Sequence, residues 1–265
     1  MTALLFDIGG TTMRMAAGQV DPLEHIEKVP APRTPGEAVE VLALYAKEVG
    51  LPFAKASGGI AGIISDGAVI SSPHLPAWNG FAFAAELEKA LGIPCEVRND
   101  AELAGLGEAV YGAGKGFELV AYLGIGTGIG GALVSGGQVA PHAEGFEPGH
   151  QILDVETGAT FEGLVSGHAL ERFFGTPARD LTREVYDGLT STVAAGVYNV
   201  ILTWSPGILV LGGSLINEEN GYRVADIEKA LHALPHVLPE LPILVQAQLG
   251  DECGLYGALA TQHVS

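Results

Sequence analysis

The sequence predicts an α/β protein made of two related halves with mixed sheets, and three observations carry that expectation. The apolar run Leu4-Leu5-Phe6-Asp7-Ile8 ends in Gly9-Gly10-Thr11-Thr12, and the same phrase returns as Ala121-Tyr122-Leu123-Gly124-Ile125 before Gly126-Thr127-Gly128-Ile129-Gly130-Gly131. Short apolar runs bounded by glycines read as buried strands. Strands alternate with apolar-periodic segments in both halves, and each half opens on a hairpin, which puts antiparallel pairs into otherwise parallel sheets. A chain of 265 residues is long enough for two modest domains. The boundary is placed at Gly112 to Gly116, giving a small domain over 1–111 and a larger one over 112–253.

The first strand, Ala3 to Phe6, returns as Met13 to Ala17, and a loop punctuated by Pro30, Pro32 and Pro35 leads to a helix. Val39, Leu42, Ala43, Ala46 and Val49 supply its apolar stripe. A buried strand and turn over Ala56 to Ile63 precede the polar loop Ser71 to Asn79. Phe83 to Leu91 reads as a helix, Pro94 to Val97 as a strand, and Asn99-Asp100 opens a further helix through Val110. After the second hairpin come a loop at Val139 to Thr160 and helices near Phe161 to Phe174 and Ala178 to Thr203. The strand Gly207 to Leu211 runs into Gly212-Gly213-Ser214. A helix, a strand at Ile243 to Gln246 and a small-residue helix from Gly254 finish the chain.

Composition narrows the function classes. Thirteen Lys plus Arg against 31 Asp plus Glu give a formal net charge of −18, which repels nucleic acid and anionic membranes. The same deficit means that a phosphate ligand must be neutralised locally, by backbone N–H groups and a divalent metal, so a magnesium requirement is expected. Cys95 and Cys253 stand far apart and support neither a disulfide framework nor a cysteine zinc cluster. No apolar run approaches the ~18 residues that span a bilayer, and a cytoplasmic protein is expected.

Each motif has a bland reading beside its chemical one. Gly126, Gly128 and Gly131 satisfy G-x-G-x-x-G, but the run that follows ends at Gly136-Gly137 and reads as the second arm of a hairpin, not as the helix a dinucleotide fingerprint must open. Gly114-Lys115 is followed by Gly116, which excludes a P-loop. Asp7, Gly9, Gly10, Thr11 and Thr12 offer a carboxylate for hydrated magnesium and donors for phosphate oxygens, or else an ordinary tight hairpin. Asn99 and Asp100 are good helix caps, or an alcohol-orienting amide with a general base. Glu147, His150 and Glu162 could bracket a polyol, since carboxylates accept hydroxyl protons and neutral imidazole donates or accepts. Gly212-Gly213 is either a plain turn or a seat for a flat adenine.

Taken together, and in their order along nearly the whole chain, these residues resemble the ROK family of sugar kinases and sugar-responsive repressors, within the actin, Hsp70 and sugar-kinase superfamily. The resemblance implies the two-domain actin-like ATPase fold, ribonuclease H-like, with sugar and ATP in an interdomain cleft and the helix 254–265 crossing back to the first domain. Asp7-x-Gly9-Gly10-Thr11-x-x-Arg14 is similar to the family's first phosphate turn, and Gly126-Thr127-Gly128-Ile129-Gly130-Gly131 to its second. Asn99 and Asp100 resemble the sugar-orienting Asn and catalytic Asp, and Glu147, His150 and Glu162 the sugar-binding set. Gly212-Gly213 resembles the adenosine turn and Leu249-Gly250-Asp251 to Gly257 the C-terminal signature. Gly59, in Gly58-Gly59-Ile60-Ala61-Gly62, and the loop Pro73 to Trp78 resemble further sugar-side elements, with His74 standing where the family often has Asn. Many members carry a three-cysteine zinc cluster completed by the histidine equivalent to His150. This chain has no such cysteines, so no structural zinc is expected, and another group must orient His150.

The resemblance implies in-line transfer of the ATP γ-phosphoryl to a hexose hydroxyl, most simply O6 of glucose, with Asp100 as base and Asp7 holding Mg2+ through water. N-acetylhexosamine, mannose, fructose and allose use the same constellation, and polyphosphate is an alternative donor. A sugar-responsive regulator is a second reading. Family repressors place a DNA-binding segment ahead of the first phosphate turn, and the position of Asp7 and the acidic charge weigh against one. A silent sugar-binding protein is a third. The sequence does not specify an oligomeric state; a homodimer is compatible with it.

Overall fold

A computed structural model describes residues 1–73, 75–235 and 237–263; His74, assigned above to the sugar-side loop, lies outside the described residues. The chain divides into two compact units, one comprising Met1–Tyr111, Pro141–Gly145 and the stretch from Asp251, the other Gly112–Ala140 and Phe146–Gly250.

The first unit runs β1 (Ala3–Ile8), β2 (Thr12–Gly18), β3 (Glu24–Pro30), α1 (Pro35–Val49), β4 (Lys55–Ile60), β5 (Ile63–Ser65), β6 (Ala68–Ser71), α2 (Phe83–Leu91), β7 (Cys95–Asn99) and α3 (Asp100–Val110). Its main sheet has the order β3-β2-β1-β4-β7. The hairpin pairs are antiparallel, whereas β4 and β7 join in parallel. The second unit contributes β8 (Leu119–Ile125), β9 (Ile129–Ser135), β10 (Gln138–Val139), β11 (Ile152–Asp154), β12 (Ala159–Thr160), α4 (Phe161–Val165), α5 (Gly167–Phe174), α6 (Arg183–Trp204), β13 (Ile208–Gly212), α7 (Val224–Ala233) and β14 (Ile243–Gln246). Its main sheet reads β10-β9-β8-β13-β14, again two antiparallel steps followed by two parallel ones. The repeated phrase in the sequence is thus a repeated topology, and the mixed sheets are as expected. The closing helix, α8 (Cys253–Ala260), belongs to the first unit.

Each main sheet buries most of its central strands. Leu4, Phe6 and Ile8 of β1 join Met13 and Met15 of β2 in a core closed by Leu42, Tyr45, Trp78 and Phe83, where the Trp78 and Phe83 rings stack 5.6 Å apart. In the second unit Leu123, Ile125, Leu209 and Leu211 pack under Val193, Val197 and Ile201 of α6. Among the described residues no helix is long and apolar enough to cross a membrane.

Several local expectations are corrected. The segment before α1 is no simple loop: residues 24–30 form an edge strand, and six of the seven are exposed, so no apolar alternation announces it. Pro30 ends that strand, and Pro35 is the first residue of α1, behind a capping box made by Thr34 and Glu37. The buried stripe of α1 centres on Ala38, Leu42 and Tyr45, the last donating to the His25 carbonyl of β3 at 2.7 Å. The stretch after Gly62 folds as the β5–β6 hairpin. The helical span 161–174 breaks at Ser166, whose hydroxyl caps α5, and α6 begins only at Arg183. The loop 139–160 contains a short 3-10 turn at Pro148–His150 and the β11–β12 hairpin.

The tightest helix contact in the first unit joins α3 to α8 through small residues. A side chain at Gly257 would overlap the Leu103 carbonyl, and one at Gly107 the Cys253 carbonyl. Helix propensity alone favours alanine over glycine by about 1 kcal/mol, but overlap with backbone cannot relax by a rotamer change and costs about 1–3 kcal/mol or more. Gly257→Ala is therefore expected to lower the Tm. Gly188→Ala, on an open face of α6 where nothing lies within 4 Å, is expected to hold or raise it. Thermal unfolding of the two variants beside wild type checks the contrast.

Candidate active site

In the first unit the site begins at the β1–β2 turn. Asp7 is the penultimate residue of β1 and pairs across the ladder with Arg14, while Gly10 and Thr11 lie exposed at the tip. The turn is closed by the Gly9 amide donating to the Thr12 carbonyl at 2.9 Å, and the Ala31 amide beyond β3 holds the Thr11 carbonyl at 3.0 Å. Arg14 serves two acids, with Nη1 3.5 Å from Asp7 Oδ2 and Nη2 3.0 Å from Asp251 Oδ2. Lys28 of β3 shares the Asp251 carboxylate at 2.6 Å. These two cations hold Asp251 below the usual carboxylate range.

Asp7 behaves in the opposite way. Its side chain is 13% exposed. Burial first, then the neighbouring Asp100 charge, push its carboxyl up to about 7 against the opposing pull of Arg14. Gly254, at the start of α8, lies against the carboxyl: a Cβ there would stand 2.7 Å from Asp7 Cγ. The missing side chain lets the helix approach this closely. The Cys253 thiol beside it is pushed up to about 12 by burial and by Asp7, which keeps it protonated and unreactive.

Asn99 and Asp100 sit where β7 passes into α3. Asn99 is the N-cap: its Oδ1 accepts the Glu102 amide at 3.0 Å, and its Nδ2 donates to the Gly62 carbonyl at 2.9 Å. The capping reading is thus correct for Asn99, and the cap also ties α3 to the turn after β4. Asp100 is the first helical residue, and its Oδ1 accepts the Ala101 amide at 2.9 Å. Gly59 is buried in β4 directly beneath it; a Cβ at Gly59 would lie 3.0 Å from Asp100 Cα. Gly59 therefore acts by seating Asp100. Glu102, one turn into the helix, contacts His142 Nε2 at 2.8 Å and carries a carboxyl raised mainly by burial.

In the second unit the β8–β9 turn is the centre on which the other elements converge. The Gly126 amide closes it on the Gly128 carbonyl at 2.9 Å, and Thr127 is exposed at its tip. The Gly126 and Thr127 carbonyls accept the Gly167 and His168 amides of α5 at 2.8 and 3.0 Å. Gly212 pairs with Gly124 in the sheet, and Gly213, at φ +89°, sits so tightly on Ile125 that a side chain would overlap the Ile125 carbonyl. That positive φ and close approach make glycine the fitting residue there. The turn at Gly126–Gly128 and the turn at Gly212–Gly213 are thus neighbours.

The acid, imidazole and acid expected on the sugar side are brought to the same hairpin. Glu162 Oε2 accepts the Ile129 amide at 2.6 Å, and Gly149 lies flat on Ile129. Glu147 and His150 flank the 3-10 turn with Oε2 and Nε2 3.9 Å apart, and their side chains are 48% and 60% exposed. The Glu147 carboxyl is raised, chiefly by burial, with His150 opposing and Glu162 adding to the effect. Motif reading did not assign Arg14 or Asp251 to the site, although both lie in motifs it quoted; their signal was only a basic residue three beyond Thr11 and an acid before a glycine-rich helix. Among the described residues no group of three or more His, Cys, Asp or Glu could hold a metal ion by itself.

Residues 4–264 match the ROK family. The chain is 30% identical over 305 residues to a glucokinase of Streptomyces coelicolor, covering 95% of this chain and 94% of that one. It is 26% identical over 283 residues to a putative fructokinase of Bacillus subtilis, covering 97% and 94%. The crystal structure of a ROK hexokinase from Thermus thermophilus superposes with a TM-score of 0.83 at 30% identity, covering 98% of this chain and 97% of that one. An inorganic polyphosphate/ATP-glucomannokinase from Arthrobacter gives a TM-score of 0.74 at 30% identity, covering 98% and 100%.

The state of Asp7 sets a pH dependence. Its folded-state carboxyl titrates at about 7 against 3.8 for the unfolded reference. Below the lower value both states are protonated and no penalty exists. As pH rises through the window the folded state must ionise a disfavoured group, so stability is lost between about pH 4 and 7 and stays lost above. Asp7→Asn removes the cost, on the order of 4 kcal/mol at pH 8. The variant is expected to have a higher Tm than wild type at pH 8 and an equal one at pH 4, in metal-free buffer; equal Tm values at pH 8 contradict the assignment.

Proposed function

The chain belongs to the ROK family, and from that premise we propose that it is a hexose kinase that transfers the γ-phosphoryl group of ATP to a sugar hydroxyl, with O6 of glucose the first candidate. The observation that carries the reading is the placing of Asp100, at the head of α3, beside Asp7, at the base of a glycine-threonine turn: Asp7 stands opposite Gly59 in the β1–β4 pairing, a Cβ at Gly59 would lie 3.0 Å from Asp100 Cα, and the Asp100 charge bears on the Asp7 carboxyl. A base for an alcohol and a carboxylate for a hydrated cation are the two acids phosphoryl transfer needs near one another.

In this reading Asp100 accepts the proton of the attacking hydroxyl while Asn99, fixed by its cap and by Gly62, orients the alcohol. Glu147, His150 and Glu162 take the other hydroxyls, which selects a polyol over water as the acceptor. Gly9, Gly10, Thr11 and Thr12 and the second turn, Gly126, Thr127 and Gly128, face the phosphates, and Gly212 and Gly213 the adenosine. Backbone donors bear this load because cationic side chains are few and Arg14 is already shared between Asp7 and Asp251.

Magnesium fits the first turn. A buried carboxyl whose charged form is under-compensated, with its pKa raised in spite of Arg14, is one that an added cation would stabilise. Asp7 would hold the ion through water, and the ion supplies charge neutralisation on the phosphate oxygens. A reaction that draws on ATP supports a cytoplasmic location in this reading.

Coupled ADP release over a panel of monosaccharides, with ATP or polyphosphate as donor, tests the reading. Glucose with ATP and magnesium is expected to give the highest kcat/KM. Asp100→Asn is expected to lower kcat by about 10²–10⁴-fold, with sugar affinity by calorimetry within a few-fold of wild type. A variant that keeps near-normal kcat removes Asp100 from the role of base, and a wild-type protein inert toward every sugar removes the kinase reading.

A further inference from the structure

The exposed pair Glu147 and His150 cannot hold itself in place. At 3.9 Å and roughly half exposed, the two side chains contribute little to each other's position. The turn that carries them is nevertheless anchored, and the anchor is the next residue. Gln151 donates from Nε2 to the Pro148 carbonyl at 2.9 Å, within the turn, and to the Gly196 carbonyl of α6 at 3.1 Å. Its Oε1 accepts from Asn199 Nδ2 at 2.7 Å, one helical turn further along α6. Both amide hydrogens are used, and the carbonyl oxygen has its donor. Reversing the amide would set its oxygen against two carbonyls and its NH₂ against an NH₂, so Asn199 and the two carbonyls fix the orientation.

The backbone of the same residue reaches the third polyol-facing side chain. The Gln151 carbonyl accepts the Phe161 amide at 2.9 Å, and Phe161 opens α4, where Glu162 follows. Phe161 is fully buried beneath Gly196; a Cβ there would lie 2.6 Å from its ring. One residue therefore joins the turn bearing Glu147 and His150, the head of α4 bearing Glu162, and the 22-residue helix α6, whose apolar face lies in the core.

We infer that Gln151, oriented by Asn199, is the positioning residue of the carbohydrate side, setting Glu147, His150 and Glu162 in register with one another. This rests on the sugar-kinase reading for what the three residues bind, though not for the geometry. The arrangement supplies what an imidazole site needs from its surroundings, a rigid frame for a side chain with no strong partner of its own.

The full chain and its Gln151→Leu and Asn199→Ala variants test the inference by steady-state kinetics and backbone hydrogen exchange. Gln151→Leu keeps the bulk and deletes every side-chain hydrogen bond. It is expected to raise the KM for the sugar about tenfold or more while the KM for ATP stays within about twofold, the split that separates a positioning role from general loosening. Amide exchange is expected to accelerate about tenfold or more over 148–151 and at Phe161, with β8, β9 and α6 still protected. Asn199→Ala, which leaves both Nε2 bonds in place, is expected to move the same quantities in the same direction by a smaller factor, and it serves if the leucine variant does not fold. An unchanged sugar KM, or an equal rise in both KM values with uniformly faster exchange, overturns the inference. If wild type phosphorylates no sugar, the kinase reading fails on its own, and exchange decides: local acceleration in the variants upholds the positioning role, and unchanged protection ends it.

Discussion

The structure depends on backbone approaching backbone at positions where no side chain intervenes. Gly254 brings α8 onto the Asp7 carboxyl, Gly59 lets the head of α3 rest on β4, and Gly149 lays the 3-10 turn on Ile129. At Gly254 and Gly149 the approach is one that even an alanine would crowd, and at Gly59 an alanine would push the head of α3 away by a few tenths of an ångström. Close packing of this kind transmits position rigidly, since interiors tolerate little change of volume. A phosphoryl-transfer site of the proposed kind, whose chemistry would be positioning and electrostatics, has most to gain from it.

The charge economy follows from the same frame. With 13 basic residues against 31 acidic ones, the protein spends Arg14 and Lys28 on Asp251 and leaves Asp7 partly uncompensated. Asp251 is exposed and held below the usual carboxylate range, whereas Asp7 is buried beside Asp100 and its carboxyl is pushed up to about 7. Two carboxylates within reach of one guanidinium thus shift in opposite directions, set by burial and not by residue type. In the proposed reading, a phosphate chain arriving at such a turn would meet backbone donors and an acid that favours a cation, which suits a hydrated metal better than a fixed lysine would.

Much of the site was legible because turn chemistry is local. Asp7, Gly9 and Gly10 and their counterparts at 126–128 declare themselves through glycine next to apolar strands, and Asn99 through its position before a periodic helix. Glu147 and His150 were legible as residue types but not as a geometry, because their register comes from Gln151 and Asn199, 48 residues apart. Gln151 carries no motif and looks like any polar loop residue. The edge strand β3 was hidden for a related reason. It buries almost nothing and is held by ladder hydrogen bonds to β2, which leave no trace in hydropathy.

The sequence by itself determined the α/β class, the internal duplication, the two glycine turns and the identity of the acids, because these follow from hydrophobic period and from the backbone freedom of particular residues. The tertiary structure decided how readily each acid ionises, which glycine seats which helix and what holds the turn of Glu147 and His150. Those outcomes rest on burial and on contacts between residues far apart in the chain, such as Arg14 with Asp251 and Gln151 with Asn199, and no local pattern encodes a distance that only folding creates.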